Sequence, residues 1–349
     1  MRRSLGFAVL LGAASGACAQ GYKAIKDWVG GCDNTRYCSA LGLAKEDSES
    51  YALLHFERGP AAGDQVRSIR LRVNHEISRD KVWTLQADDA ELLQFNDRHL
   101  VDADSGPGID FVIETSDELE ALMGAMRSAD ALTVVGDSGP VGRISLSGAS
   151  AIMLWIDEQQ GRLGTSTALH RRGEKSPQTL PAVTLPRLKA VPATPLGTAD
   201  VATLSASTRA RLPPDSCESL EPDSGIQDEA WTVEGERTLV KLQCYGGAYN
   251  FGSSWFLLDQ RGALTPLSFP IPNDDGGAMG SSTDLVNADF DPNSGRLSSF
   301  NKGRGMGDCG SFGEWLWDGN AFQLASYRSM GDCRGVSSDL WPRLWQSAP

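Results

Sequence analysis

Six cysteines constrain this chain more than any other feature. Cys32, Cys38, Cys217, Cys244, Cys309 and Cys333 follow a stretch that reads as an export signal, and the seventh, Cys18, lies inside that stretch. An even number of cysteines in an oxidising compartment implies three disulfides rather than metal sites or nucleophiles. Many connectivities are possible. Closeness in sequence and membership of the same half of the chain favour Cys32–Cys38, Cys217–Cys244 and Cys309–Cys333. The short ring carries Asp33, Asn34 and Arg36. Loop entropy gives it about 2.3 kcal/mol, against about 3.5 kcal/mol for each of the others. Shaping a loop is therefore as much its expected role as stability. Its spacing differs from the Cys-x-x-Cys of a redox pair.

Met1-Arg2-Arg3 is a basic leader, and Leu5 to Ala14 is apolar but too short to span a bilayer. Ala17-Cys18-Ala19 fits a small-x-small cleavage site, so the mature chain is expected to begin at Gln20, in the periplasm. The same residues allow two other readings. A lipoprotein would be acylated at Cys18, although Ser15 stands where a bulky aliphatic residue is usual, and Arg2-Arg3 permits twin-arginine export. No later apolar run reaches membrane length, so no transmembrane segment is expected. Loss of Arg2 and Arg3 takes the net charge from −13 to −15. Such a chain is repelled by nucleic acid and by anionic lipid, and a cationic partner is permitted. His55, His75, His99 and His170 are scattered, with no pair at ligand spacing. Neither a metal nor a cofactor is expected.

Seven of the 17 prolines fall between Pro177 and Pro214. The run has no hydrophobic period and reads as an extended, semi-rigid linker. The expected division is an α+β unit over 20–172, a linker over 173–213 and a mainly antiparallel β unit over 214–349. In the first unit, Ile69, Leu71 and Val73 alternate with arginines, and Val82 to Leu85, Ala131 to Val135 and Arg143 to Ser147 also read as strands. Ser116, then Asp117 and Glu118, then Leu119, Leu122, Met123 and Met126 give a cap, an acidic first turn and a helical stripe. Ser147 to Gln160 reads as a second helix closed by Gly161. The second unit repeats a strand-turn-strand pattern around Asp259, Asp291 and Asp318, each followed by glycine between apolar pairs. A twisted sheet, a sandwich or propeller-like blades all fit.

The cysteine contexts are specific. Asp27-Trp28-Val-Gly-Gly-Cys32-Asp33-Asn34 is one block, and Lys302-Gly-Arg304-Gly-Met-Gly-Asp308-Cys309-Gly310 with Glu314-Trp-Leu-Trp317 is another. Met330-Gly-Asp-Cys333-Arg334-Gly335, the closing Trp341-Pro342-Arg-Leu-Trp345, and Asp157-Glu-Gln-Gln-Gly-Arg complete the set. Together they resemble the six-cysteine bacterial family known as domain of unknown function 1176. The resemblance spans nearly the whole mature chain and implies a Gram-negative exported protein. It supplies no reaction, substrate or catalytic residue.

Four motifs suggest chemistry and are weighed against plain structure. Gly136-Asp-Ser138-Gly-Pro resembles a serine-protease nucleophile turn, but no histidine or orienting acid is identifiable, so a loop turn is favoured. Gly305-Met-Gly307-Asp-Cys-Gly310 matches a dinucleotide fingerprint as a string, yet a disulfide cysteine and a hairpin follow where a helix is required. Asp289, Asp291 and Asn293 mimic a calcium loop, with Ser294 and Phe300 where glycine and a carboxylate belong. Trp315, Trp317, Trp341 and Trp345 read mainly as core, with partial exposure as the alternative. The candidate ligand surface is the glycine-dense loop from Asn301 to Gly310, whose Lys302 and Arg304 would receive an anion beside Trp315 and Trp317; the plain alternative is a tight, disulfide-pinned loop whose cations pair with Asp308 or Glu314. The functional expectation is a non-catalytic binding or envelope-associated module with an unknown envelope ligand or protein as partner. The alternatives are a hydrolase on envelope glycan or peptide and an inhibitor of a cationic host enzyme.

Overall fold

The computed structural model describes residues 21–46, 48, 51–103, 109–178, 180–214, 216–217, 226–273 and 279–348. The export segment, Cys18, and the acids Asp274 and Asp275 lie outside the described residues. The first half runs β1 Gly21–Ile25, β2 Trp28–Cys32, β3 Cys38–Leu43, β4 Ala52–Arg58, β5 Ile69–Val73, β6 Trp83–Ala87, β7 Ala90–Phe95, β8 Leu100–Asp102, β9 Ile109–Ile113, α1 Ser116–Ser128, β10 Ala131–Gly136, β11 Gly139–Ser145 and α2 Ala149–Gln159. These strands make a seven-stranded sheet, β1-β2-β3-β4-β5-β9-β8, and a four-stranded sheet, β11-β10-β6-β7. The chain is β-rich throughout, so helix is a smaller share of this half than the α+β expectation gave it.

Both helices form where the apolar stripe predicts. α1 has Asp117 and Glu118 in its first turn and buries Leu119, Leu122, Met123 and Met126. α2 buries Ile152, Met153 and Ile156 against the first strands. The central strands of the large sheet are buried on both faces, which explains why β2 and β3 carry no exposed residue. Trp28, Ala40, Leu54 and Phe56 point into the core of the first half. The alternate residues Val29, Leu41, Leu43 and Leu53 point the other way and meet Cys309, Met330, Val336, Leu340 and Trp341 of the second half. The approach is close: a β-carbon at Gly31 would collide with Pro342.

The second half runs β12 Thr194–Pro195, α3 Thr198–Arg209, β13 Glu229–Val233, β14 Arg237–Gly246, β15 Phe251–Leu258, β16 Leu264–Pro266, β17 Phe269–Pro272, β18 Met279–Ser282, β19 Asp284–Val286, β20 Ala288–Asp291, β21 Arg296–Lys302, β22 Gly310–Trp317, β23 Phe322–Met330 and β24 Arg343–Gln346. A six-stranded sheet (β12 to β16, with β19 beside β15) and a five-stranded sheet (β20 to β24 in chain order) share an aromatic core. Trp231 stacks on Trp255 at 5.7 Å, and Phe290 and Phe322 meet Trp255 edge-on. The three expected hairpins are present, and each turn aspartate accepts backbone N–H groups: Asp259 from Arg261 and Ala263, Asp291 from Asn293, Asp318 from Asn320 and Ala321.

The segment expected as a linker is partly structured. Val191 N–H donates to Trp317 and Ala193 N–H to Pro292, both at 2.8 Å, which lays the chain along the second half. α3 falls inside the expected linker. Prolines stop between Pro195 and Pro213. Its Val201 and Leu204 cover Val240, Leu242 and Phe256 on the outer face of the six-stranded sheet. So few apolar residues give a weak helical period, which the sequence reading missed.

Candidate functional site

The loop between β21 and β22 is built by glycine and pinned by sulfur. Gly303 N–H bonds to Cys309 O at 2.8 Å, and Gly307 adopts a φ of +69° that few other residues tolerate. The structure contains three bridges, Cys32–Cys38, Cys217–Cys244 and Cys309–Cys333. They place the chain in an oxidising, extracytoplasmic environment. Among the described residues, no helix is long and apolar enough to cross a membrane.

The predicted surface residues separate. Arg304 is not a free anion receptor: its Nε donates to Asp308 Oδ1 at 2.7 Å and its Nη2 to Oδ2. The Asp308 side chain is only 6% exposed and also accepts Gly335 N–H. Arg304, helped by that backbone donor, holds the Asp308 carboxyl below the usual carboxylate range. The planar fork is therefore committed to an internal carboxylate. Lys302 rests its ammonium 5.6 Å from the centre of the Phe300 ring, with no carboxylate partner among the described residues. Trp315 and Trp317 are not on a surface at all. They are 1% and 0% exposed. Gly313, Trp315 and Trp317 alternate inward along β22, where Trp315 Nε1 donates to Pro270 and Trp317 packs on Phe322. Trp341 is likewise buried, between the halves, and Trp345 lies against the aromatic core.

Beside the loop stand residues the sequence reading passed over. Tyr245, Tyr249 and Met306 are 48%, 38% and 75% exposed. A polar lock ties the tip of the β14–β15 hairpin, which carries Tyr249, to β21. Asn250 Nδ2 donates to Lys302 O at 2.8 Å, and Asn287 Nδ2 donates to Phe300 O at 2.8 Å and to Asn250 Oδ1 at 3.0 Å. Asn287 Oδ1 in turn accepts Phe251 N–H. The available signal was two tyrosines inside the glycine-rich run from Cys244 to Gly252, where a packed core is implausible.

The other motifs are structural. Ser138 sits in the exposed turn between β10 and β11. The Asp157 to Arg162 stretch forms a buried knot. Arg58 and Asp157 pair at 2.7 Å with both side chains 0% exposed, and Asp157 also accepts Leu169 and His170 N–H. Burial outweighs the carboxylate and pushes the Arg58 guanidinium down to about 10. Two open clefts, of about 670 and 640 Å³, are lined respectively by Asp27, Lys45 and Arg143 and by Tyr51, Arg72 and Asp110. Among the described residues, no group of three or more His, Cys, Asp or Glu side chains is placed to hold a metal ion.

Comparison with known proteins adds lineage without chemistry. The chain is 28% identical to the uncharacterized protein YpfG of Escherichia coli (strain K12) over an alignment of 358 positions, covering 94% of this chain and 93% of that protein. No solved structure matches. The family described as "Protein of unknown function (DUF1176)" matches residues 22–348, and the chain belongs to that family.

Proposed function

We propose that this protein is a periplasmic, non-catalytic binding module, exported by the segment 1–19. Its contact surface is the Asn301–Gly310 loop joined to the tip of the β14–β15 hairpin. One observation carries the reading: Tyr249 and Met306 stand exposed, with Lys302 half-buried on the same loop, on a frame fixed by the Cys309–Cys333 bridge and the Asn250–Asn287 lock. A fixed backbone frame leaves less to order on binding, which favours recognition. Arg304 belongs to this surface as the residue that shapes the loop. The division near 173–213 is part of the same proposal, supported by separate cores on either side. The test is co-sedimentation of the mature chain with isolated, washed cell envelopes. Replacing Lys302, Tyr249 and Met306 together by alanine should cut the bound fraction at least tenfold. Undiminished binding by that variant would remove the surface from the account.

A further inference from the structure

We infer that Tyr245 and Tyr249 form a stacking platform for the sugar rings of an extracytoplasmic polysaccharide. This rests on the binding-surface reading above and gives it a ligand class. Tyr245 is the last residue but one of β14, opposite Gly252 of β15. A β-carbon at 252 would overlap the Tyr245 ring, so the ring lies across that buried glycine. With 48% of Tyr245 exposed, the face turned away from the sheet is the one water reaches. Tyr249 repeats the arrangement on the neighbouring loop. A β-carbon at 305 would stand 3.4 Å from its ring, and 38% of the residue is exposed.

Each tyrosine thus has backbone on one side and solvent on the other. A pyranose ring has an apolar C–H face of similar size with hydroxyls around its edge. It asks for a π face with polar groups at the margin. Asp284 pairs with Ser254, two residues along β15 from the glycine beneath Tyr245, and is exposed, with its carboxylate accepting the Ser254 and Thr283 hydroxyls. Asn250, next to Tyr249 in the chain, has its amide held on Lys302 O, and the Lys302 ammonium lies over the Phe300 ring of the same strand. A protein partner would favour a wider apolar patch at the centre of the contact. Here Met306 is the one strongly exposed apolar side chain on the loop. The lock through Asn250 and Asn287 keeps the platform from collapsing when empty.

The experiment is titration calorimetry of the mature chain with chitotetraose and with cellotetraose. Saturable binding of at least one is expected. Tyr245→Ala and Tyr249→Ala should each weaken it about tenfold, the size of one lost stacking contact. Tyr245→Phe and Tyr249→Phe keep the ring face and should stay within about threefold. Saturation-transfer NMR on the native chain, which needs no variant, should carry magnetisation from aromatic protons to the sugar C–H groups. Absence of binding to both oligosaccharides, or binding indifferent to the alanine changes, overturns the inference. Envelope co-sedimentation retained without oligosaccharide binding defeats the sugar assignment alone and points to a protein on the same surface. Loss of both defeats the surface as well.

Discussion

Two hairpin tips in this protein are made from the same ingredients and do opposite things. The tip between β2 and β3 is closed by Cys32–Cys38, and the tip between β21 and β22 is pinned by Cys309–Cys333. Each holds an aspartate that binds an arginine. Asp33 finds its arginine in Arg343, 310 positions away in the other half, at 2.9 Å. Asp308 finds its own in Arg304, four positions away. The Asp33 tip is buried: Asn34 exchanges two hydrogen bonds with the Gln346 backbone, and Thr35 accepts from the Gln346 side chain. The Asp308 tip takes its arginine from its own loop, takes Gly335 N–H from the segment that Cys309–Cys333 ties to it, and leaves Met306 exposed. A charge pair closed across distant segments makes a clamp. One closed within its own loop makes a shaped surface.

The contrast can be broken first at Asp33. Its Oδ1 takes three donors, from Thr35 N–H, the Thr35 hydroxyl and Tyr37 N–H, and its Oδ2 takes Arg343. Asp33→Ala strips all four of their acceptor in a buried place. The expected loss is about 4 kcal/mol in urea unfolding, as for one partner of a buried pair. A loss under about 1 kcal/mol would mean that the tip is not a clamp. The disulfides sharpen the comparison next. Chain entropy alone ranks Cys309→Ser with Cys333→Ser at about 3.5 kcal/mol, above Cys32→Ser with Cys38→Ser at about 2.3 kcal/mol. The clamp reading adds a cost to the smaller ring, because Asp33 and Asn34 lose their alignment, and narrows or reverses that order. It also predicts faster hydrogen exchange at the Gln346 amide in the Cys32/Cys38 variant and not in the other. Losses in simple entropic order with unchanged exchange would erase the distinction.

How much of this the sequence disclosed depends on how far each residue's partner lies along the chain. Local signals read well. β5 follows from alternation at Ile69, Leu71 and Val73, α1 from the stripe ending at Met126, and the three hairpins from their turn aspartates. Trp315 and Trp317 read mainly as core and are core, but the sequence does not say what covers them. That depends on Phe269 and Phe322 arriving from other strands. The double burial of β2 and β3 was illegible because its second cover comes from Met330 to Trp341. Arg304 differs in kind. Its partner is near, and the sequence offers both Asp308 and Glu314; the geometry fixes it on Asp308. For Tyr245 and Tyr249 the glycine-rich run around them is a local signal of exposure, but the Gly305 backbone beside the Tyr249 ring comes from a distant loop.

The smallest expected effect concerns acid. Asp308 titrates low because Arg304 and the Gly335 N–H favour its charged form. An unfolded aspartate takes up its proton near about pH 3.9, before the folded one does. The stabilisation from the pair is therefore complete above that value. It declines as the pH falls through it toward the lower folded value, because the unfolded state then binds more protons. Arg304→Ala should return Asp308 toward its ordinary value and flatten this part of the stability curve between about pH 5 and about pH 3. Hydrogen exchange at the Gly335 amide reports the same event locally, since that amide donates to Asp308. In the native chain its protection should fall as the carboxylate is neutralised. In Arg304→Ala it should be weaker from the start and less dependent on pH. The clamp at Asp33 should be untouched by this change, so the Gln346 amide should exchange as in the native chain at neutral pH. Loss of Gln346 protection in Arg304→Ala would show that the second tip also holds the halves together, and the contrast between clamp and surface would fall.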